Sequence, residues 1–175
     1  MHALIMYSGG VESTALIQYA KSCDYEYTLA HLTHNVKSQN EMTACSDDVH
    51  EIVMLKPTFD KQFTNAHADV SLWLAMAMQL VGRGDFDCVW FGTHVADNHF
   101  KVKQMQTSWR AMMKILKLDC ALDSPLCDRT KLDQYNMLTS EQKNSIVSCK
   151  NGINIDPCGH CDKCQEFETH VLRYI

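Results

Sequence analysis

Four of the nine cysteines crowd one short stretch: Cys149, Cys158, Cys161 and Cys164, spaced C-x8-C-x2-C-x2-C. Two-residue gaps let neighbouring thiolates point at one ion, and four thiolates complete the tetrahedron that zinc prefers. Pro157 and Gly159 shape the turn between ligands. Four protein ligands leave no open position, so the expected role is structural, a clip holding the C-terminal tail to its domain. His160 is an alternative to one of the cysteines. The Cys158, Cys161, Cys164 triplet also fits a [4Fe–4S] cluster, but Gln165-Glu166-Phe167 stands where the ferredoxin C-x3-C-P continuation belongs.

A second group lies near the amino end, in Ser8-Gly9-Gly10-Val11-Glu12-Ser13-Thr14. Two adjacent glycines let backbone N–H groups crowd around an anion, because no Cβ blocks the approach. A helix starting there points its unpaired N–H groups and its positive end at the same spot. Ser8, Ser13 and Thr14 add hydroxyls. The expectation is a phosphate cradle, although the Gly-Lys-Ser/Thr ending of the Walker type is absent. Plain chain reversal is the bland alternative.

These groups need elements to position them. Ala3 to Met6 reads as a buried strand and Val11, Ala15, Leu16 and Tyr19 as one side of the helix after it. Tyr25 to His31 and Glu51 to Leu55 read as further strands, the latter stopped by Pro57, with a loop over Thr33 to Gln39 and a short helix over Asn40 to Val49. Asp69 is the expected N-cap of a helix running to Val81, apolar nearly all round and therefore sandwiched, with Met76 and Met78 as core filler. Asp87 to Phe91 is a fourth strand. A long polar loop follows through His94, Asp97 and His99 to Lys101, then a helix over Thr107 to Leu116 and a strand over Cys120 to Leu122. Trp109 is expected in the core. Thr130 with Asp133 and Thr139 with Gln142 form two capping boxes. Alternating strands and helices predict an α/β chain with a doubly wound parallel sheet, and a glycine pair ending the first strand sits where such sheets bind nucleotides.

The 175 residues suit a single domain, with the knuckle over 149–164 as part of it. Apolar residues at 46% and charged ones at 21% are ordinary for a globular chain, and a net charge of −5 without blocks of like charge argues against a coat for nucleic acid. No signal peptide or membrane span is read, the longest apolar stretch being Val70 to Val81. An odd cysteine count, with five thiols scattered singly, points to a reducing, cytoplasmic setting in which disulfides are not expected and the scattered thiols are small core residues.

The glycine turn joined to the four-cysteine cluster resembles the QueC family, 7-cyano-7-deazaguanine synthases of the N-type ATP pyrophosphatase (PP-loop) superfamily. Phe91-Gly92-Thr93-His94 through Asp97 resembles the family's Gly-x-x-x-x-Asp segment. Ser124-Pro125-Leu126 with Thr130-Lys131 resembles its Pro-Leu…Thr-Lys segment, and Ser148-Cys149 with Pro157 to Cys164 resembles its zinc knuckle. The resemblance implies an adenine nucleotide α-hydrolase-like fold and conversion of 7-carboxy-7-deazaguanine, ammonia and ATP to 7-cyano-7-deazaguanine through an acyl-adenylate and an amide. It places Ser8, Gly9, Gly10, Val11, Glu12, Ser13 and Thr14 on the leaving pyrophosphate with Mg²⁺. It makes Ser8, Ser13, Lys131 and Asp97 the catalytic set, and His94 and Asp97 the substrate contacts. A solvated lysine is the plain alternative for Lys131.

The chain departs from the family in places. Glu12 stands for the superfamily's Asp, His34-Asn35-Val36-Lys37-Ser38 replaces a Tyr-Gly-Gln segment, and only Asn65 hints at a Pro-x-Arg-Asn segment. Such a short, divergent copy is what a phage or other mobile genome would carry, acting then in the host cytoplasm. The competing readings are an enzyme that stops at the amide or acylates another amine, a PP-loop tRNA sulfurtransferase with an iron–sulfur cluster, and an inactive nucleotide-binding relative. Partners are expected to be small molecules rather than nucleic acid or membrane, with a homodimer left open.

Overall fold

The computed structural model describes residues 1–33, 51–54, 66–97, 99–146, 149 and 157–174. Five parallel strands form its sheet: β1 (His2–Met6), β2 (Glu26–Thr33), β3 (Glu51–Met54), β4 (Cys88–Phe91) and β5 (Ala121–Asp123), in the order β3-β2-β1-β4-β5. The helices are α1 (Val11–Ser22), α2 (Ala66–Val81), α3 (His99–Leu116), α4 (Lys131–Asn136), α5 (Ser140–Ser145) and α6 (Asp162–His170), with a 3-10 turn at Leu172–Tyr174. The expected loop at 34–39, the helix at 40–49 and Pro57 lie outside the described residues, as do Cys45 and Asn65.

β1 is central, and its side chains divide by the strand period of two. Ala3, Ile5 and Tyr7 join Ala15, Leu16, Ile17 and Ala20 of α1, with Leu126 and Leu138, in one apolar layer. Leu4 and Met6 join Met76, Ala77, Leu80 and Val81 of α2, with Trp109 and Met113 of α3, in the other. Helices therefore cover both faces, which is why a parallel strand reads as an unbroken apolar run rather than an alternating one. Burying one leucine- or isoleucine-sized side chain contributes about 1.5–3 kcal/mol. Trp109 is fully buried, and its indole N–H donates to Cys120 O at 2.7 Å.

Three expectations need correction. Asp69 does not precede α2: the helix already runs from Ala66, because Ala66 and Ala68 extend it at little cost in propensity. Nor is α2 sandwiched, since Ser71, Ala75 and Gln79 are exposed while Met76, Ala77, Leu80 and Val81 are buried. His99 is not in a loop but opens α3, eight residues earlier than expected. Val102, Met105, Trp109 and Met113 recur at three and four, so the helical stripe persists through lysines and glutamines that make the stretch look polar. Both capping boxes form as expected. Cys88 and Cys120 are buried, Cys23 and Cys127 half-buried. No helix among the described residues is long and apolar enough to cross a membrane.

The chain steps outward from β1 to β2 and β3, then returns to β4 on the other side of β1. β1 and β4 are therefore neighbours at the point where the strand order reverses, and the carboxyl ends of strands at such a point are where open α/β sheets receive ligands.

Candidate functional site

The turn after β1 is held in shape by its own hydroxyls. Gly9 takes a φ of 72°, a conformation that a side chain would strain. The Ser13 hydroxyl donates to Gly10 O at 3.2 Å and accepts from Ser8 N at 3.2 Å, while the Thr14 hydroxyl donates to Gly10 O at 2.8 Å. Ser13 and Thr14 are buried, so they brace the turn, and Ser8 with Gly10 forms the half-buried rim. Gly10 is the N-cap of α1 with no side-chain hydrogen bond, so the first-turn N–H groups keep no side-chain cap. Gly92, just past β4, packs directly on this turn. A Cβ there would lie 2.7 Å from Glu12 Cβ and 2.8 Å from Ser13 N.

Around the turn the structure gathers six charged side chains from four separate stretches. Lys131, the first residue of α4, is buried, with its Nζ 2.8 Å from Glu12 Oε1 and 2.6 Å from Glu166 Oε1. It is not the solvated lysine that a helix's first turn usually shows, because two carboxylates compensate its desolvation. Lys163 Nζ meets the other oxygen of Glu166 at 2.7 Å. His94 lies with Nε2 3.3 Å from Glu166 and Nδ1 3.0 Å from Asp97 Oδ2, and the His94 backbone N–H donates to the same Asp97 oxygen at 2.8 Å.

These contacts set the protonation states. Asp97, then Glu166, outweigh burial and push the His94 pKa up to about 10, so the ring is an imidazolium at neutral pH. The hydrogen bond from His94, against the cost of burial and joined by both lysines, holds Glu166 well below the usual carboxylate range. Burial works to raise the Asp97 pKa, but the His94 ring 3.0 Å away and the His94 backbone N–H win and it ends lowered. Burial works to lower Lys163, yet Glu166 leaves it raised. Three cations thus face three carboxylates, and the site is close to neutral. A polyanion entering it needs either a divalent cation or the displacement of a carboxylate. Glu12, His94 and Glu166 also offer three ligand atoms within 4.8 Å of one another, with the Lys131 ammonium already between the two carboxylates.

A buried scaffold supports these groups. Gln134, fully buried on α4, donates from Nε2 to Thr93 O at 2.7 Å and to Leu126 O at 2.9 Å, tying the loop after β4 to the one after β5. The Thr93 and Ser124 hydroxyls pair at 2.6 Å. Neither Gln134 nor Glu166 stands out in the sequence. Both lie on helices whose polar residues read as solvated surface, and only their distant partners give them away.

The four cysteines of the C-terminal stretch come together as their spacing predicts. The Sγ atoms of Cys149, Cys158, Cys161 and Cys164 all lie within 4.8 Å of one another, and those of Cys158 and Cys164 are 4.0 Å apart. Tetrahedral thiolates at about 2.3 Å from an ion stand roughly 3.8 Å apart, so the group is geometrically suited to a metal. Backbone N–H groups of Cys158 and Cys164 donate to the sulfurs of Cys149 and Cys161 at 3.3 and 3.4 Å. Burial pushes the Cys164 thiol up to about 12 in the absence of a cation, a cost that an ion would remove. His160 is exposed and its Nδ1 bonds to Cys158 O at 2.7 Å, so cysteine rather than histidine completes the set.

No protein-family model matches the chain. No curated protein matches it either. Among solved structures it is similar to a predicted subunit of tRNA methyltransferase from Methanocaldococcus jannaschii, at 12% identity over 73% of this chain and 69% of that one, with a TM-score of 0.38. A likeness that shallow bears on neither fold family nor activity.

Proposed function

We propose that the chain is an ATP-dependent C–N ligase of the PP-loop type, converting 7-carboxy-7-deazaguanine and ammonia to 7-cyano-7-deazaguanine. The observation that carries this reading is the convergence, at the carboxyl end of the sheet, of the Ser8–Thr14 turn, His94, Asp97 and Lys131. Those are the positions that the resemblance to the QueC family marks, and they come from three distant stretches of chain. In the proposed reaction the substrate carboxylate attacks the α-phosphorus of ATP and pyrophosphate leaves. Ammonia then displaces AMP to give an amide, and a second ATP activates the amide oxygen, whose loss with AMP gives the nitrile.

In this reading Ser8, the Gly9–Gly10 backbone and the first turn of α1 hold the departing pyrophosphate. Lys131 supplies a cation at the cradle's edge, and His94 with Asp97 faces the deazaguanine. Glu12 would be the carboxylate that holds Mg²⁺, which would shield the charge that a near-neutral site leaves uncompensated. For the four thiols we infer zinc, in a structural role, because a buried all-thiolate set leaves no position open for chemistry. A colourless protein with one zinc per chain supports this, whereas a brown one favours an iron–sulfur cluster and the sulfurtransferase alternative.

The 2.8 Å pairing of Glu12 with Lys131 favours a second reading, a cradle that binds nucleotide without turning it over. Incubation with Mg·ATP, ammonia and 7-carboxy-7-deazaguanine, followed by mass spectrometry, separates them. Two AMP per nitrile support the ligase, a product that remains the amide shortens the reaction by one step, and no AMP with no mass change leaves a binder. In the same assay Ser8→Ala is expected to lose activity and Glu12→Asp to keep it. Equal loss from both would undercut the cradle.

A further inference from the structure

Helix α6 belongs at once to the knuckle and to the charged site. Its N-cap is Cys161, whose sulfur accepts from Cys164 N, so two of the four thiols sit in its first turn. One turn on, Glu166 gathers three donors, with Lys131 and His94 on one oxygen and Lys163 on the other. Lys131 and His94 belong to the loops and helices around the sheet, while Glu166 arrives on the knuckle's own helix.

We propose that Glu166 is a positioning residue through which the metal-loaded knuckle sets Lys131 and His94 against the Ser8–Thr14 turn. A helix of nine residues is marginal in water by itself, and α6 is held at its first turn by Cys161 and further on by Phe167 against Tyr135. Ligand bonds that order a knuckle are part of its folding free energy, so removing the ion frees Cys161 and Cys164 and frays α6 from its capped end. Glu166 then leaves, and Lys131 loses the shorter of its two carboxylate contacts. The consequence for nucleotide binding rests on the cradle reading given above, whereas the coupling itself does not.

The test uses acetylation of lysines by an N-hydroxysuccinimide ester, read by mass spectrometry on the full chain. In the metal-loaded protein Lys131, at 6% side-chain exposure, should label about tenfold more slowly than Lys163, at 42%. Chelation of the metal, or Glu166→Gln, should each bring the two rates together, and chelation should add nothing in the variant. Glu166→Gln should keep its metal and bind Mg·ATP about tenfold more weakly by calorimetry, with Glu166→Asp restoring part of the affinity. Lys131 that stays protected after chelation overturns the proposal, as does a chelation effect that is undiminished in Glu166→Gln. Should that variant not fold, chelation of the unaltered protein decides alone. A protein that binds no ATP yet exposes Lys131 on chelation sinks the cradle reading and leaves the coupling standing.

Discussion

Replacing Lys131 with methionine removes one ammonium and keeps a side chain of similar length, so its cost measures the charge cluster directly. Nζ lies 2.8 Å from Glu12 and 2.6 Å from Glu166, whose side chains are 20% and 24% exposed. Taking one partner from a fully buried ion pair costs about 3–5 kcal/mol, because the remaining charge is stranded. Here both carboxylates reach solvent, and Glu166 keeps Lys163 and His94, so a net loss of about 2 kcal/mol is expected. Unfolding entropy of about 2.1 cal/mol/K per residue then converts this to a fall of about 5 °C in thermal midpoint for a chain of 175 residues. Adding Glu12→Gln to Lys131→Met should cost less than Glu12→Gln alone by about 1 kcal/mol, because the ammonium it answered is gone. Calorimetric scans of the four proteins read both numbers. A midpoint shift under about 1 °C, or strict additivity, would mean the lysine is solvated and the cluster contributes nothing.

Cys161→Ser takes away one of the four thiols proposed to hold a metal and the sulfur that caps α6; the variant should hold no stoichiometric metal by elemental analysis and should lose solubility or fold, and a soluble, metal-loaded Cys161→Ser would contradict the ligand set. The raised His94 pKa gives stability that is fully present below about pH 6.5 and lost as pH climbs through about 10, since the folded form holds its proton more tightly than the unfolded chain. Thermal midpoints should therefore fall more steeply between pH 7 and 10 in the unaltered protein than in His94→Gln, and parallel slopes would remove the imidazolium from the account. Gly92→Ala forces a Cβ to 2.7–2.8 Å from Glu12 and Ser13, which must part β4 from α1; a loss of about 1–3 kcal/mol by denaturant titration, with weaker pyrophosphate binding, is expected, and an unchanged protein would show the packing to be loose.

What the sequence made legible was local. β1, its glycine turn and α1 were readable because an unbroken apolar run, a Gly-Gly pair and a period of 3.6 lie within twenty residues of one another. Both capping boxes are signals spanning four residues, and the thiols at 158, 161 and 164 are set by two-residue gaps. The starts of α2 and α3 are not legible in the sequence, because the polar residues around Asp69 and Lys103 mask a stripe whose burial depends on the sheet beneath. Lys131 and Glu166 show the limit most clearly. Each has a sequence neighbourhood typical of exposed helix, and its partners come from remote parts of the chain, Glu12 for Lys131 and, 72 residues away, His94 for Glu166. Spacing rules report what one helix or one turn can do by itself. They carry no term for a charge supplied by another part of the chain.

The pairing of Glu12 and Glu166 on one ammonium also has a consequence for synthesis on the ribosome. Lys131 leaves the exit tunnel 35 residues ahead of Glu166, an interval on the order of 2–7 s at ordinary elongation rates. During that time the nascent sheet carries a lysine answered by Glu12 alone, and the second carboxylate arrives only with the four-cysteine stretch. On the proposal that the four thiols hold a metal, final assembly waits for ion uptake, and cells starved of that ion should accumulate chains whose sheet is made but whose four-cysteine stretch stays open to proteases.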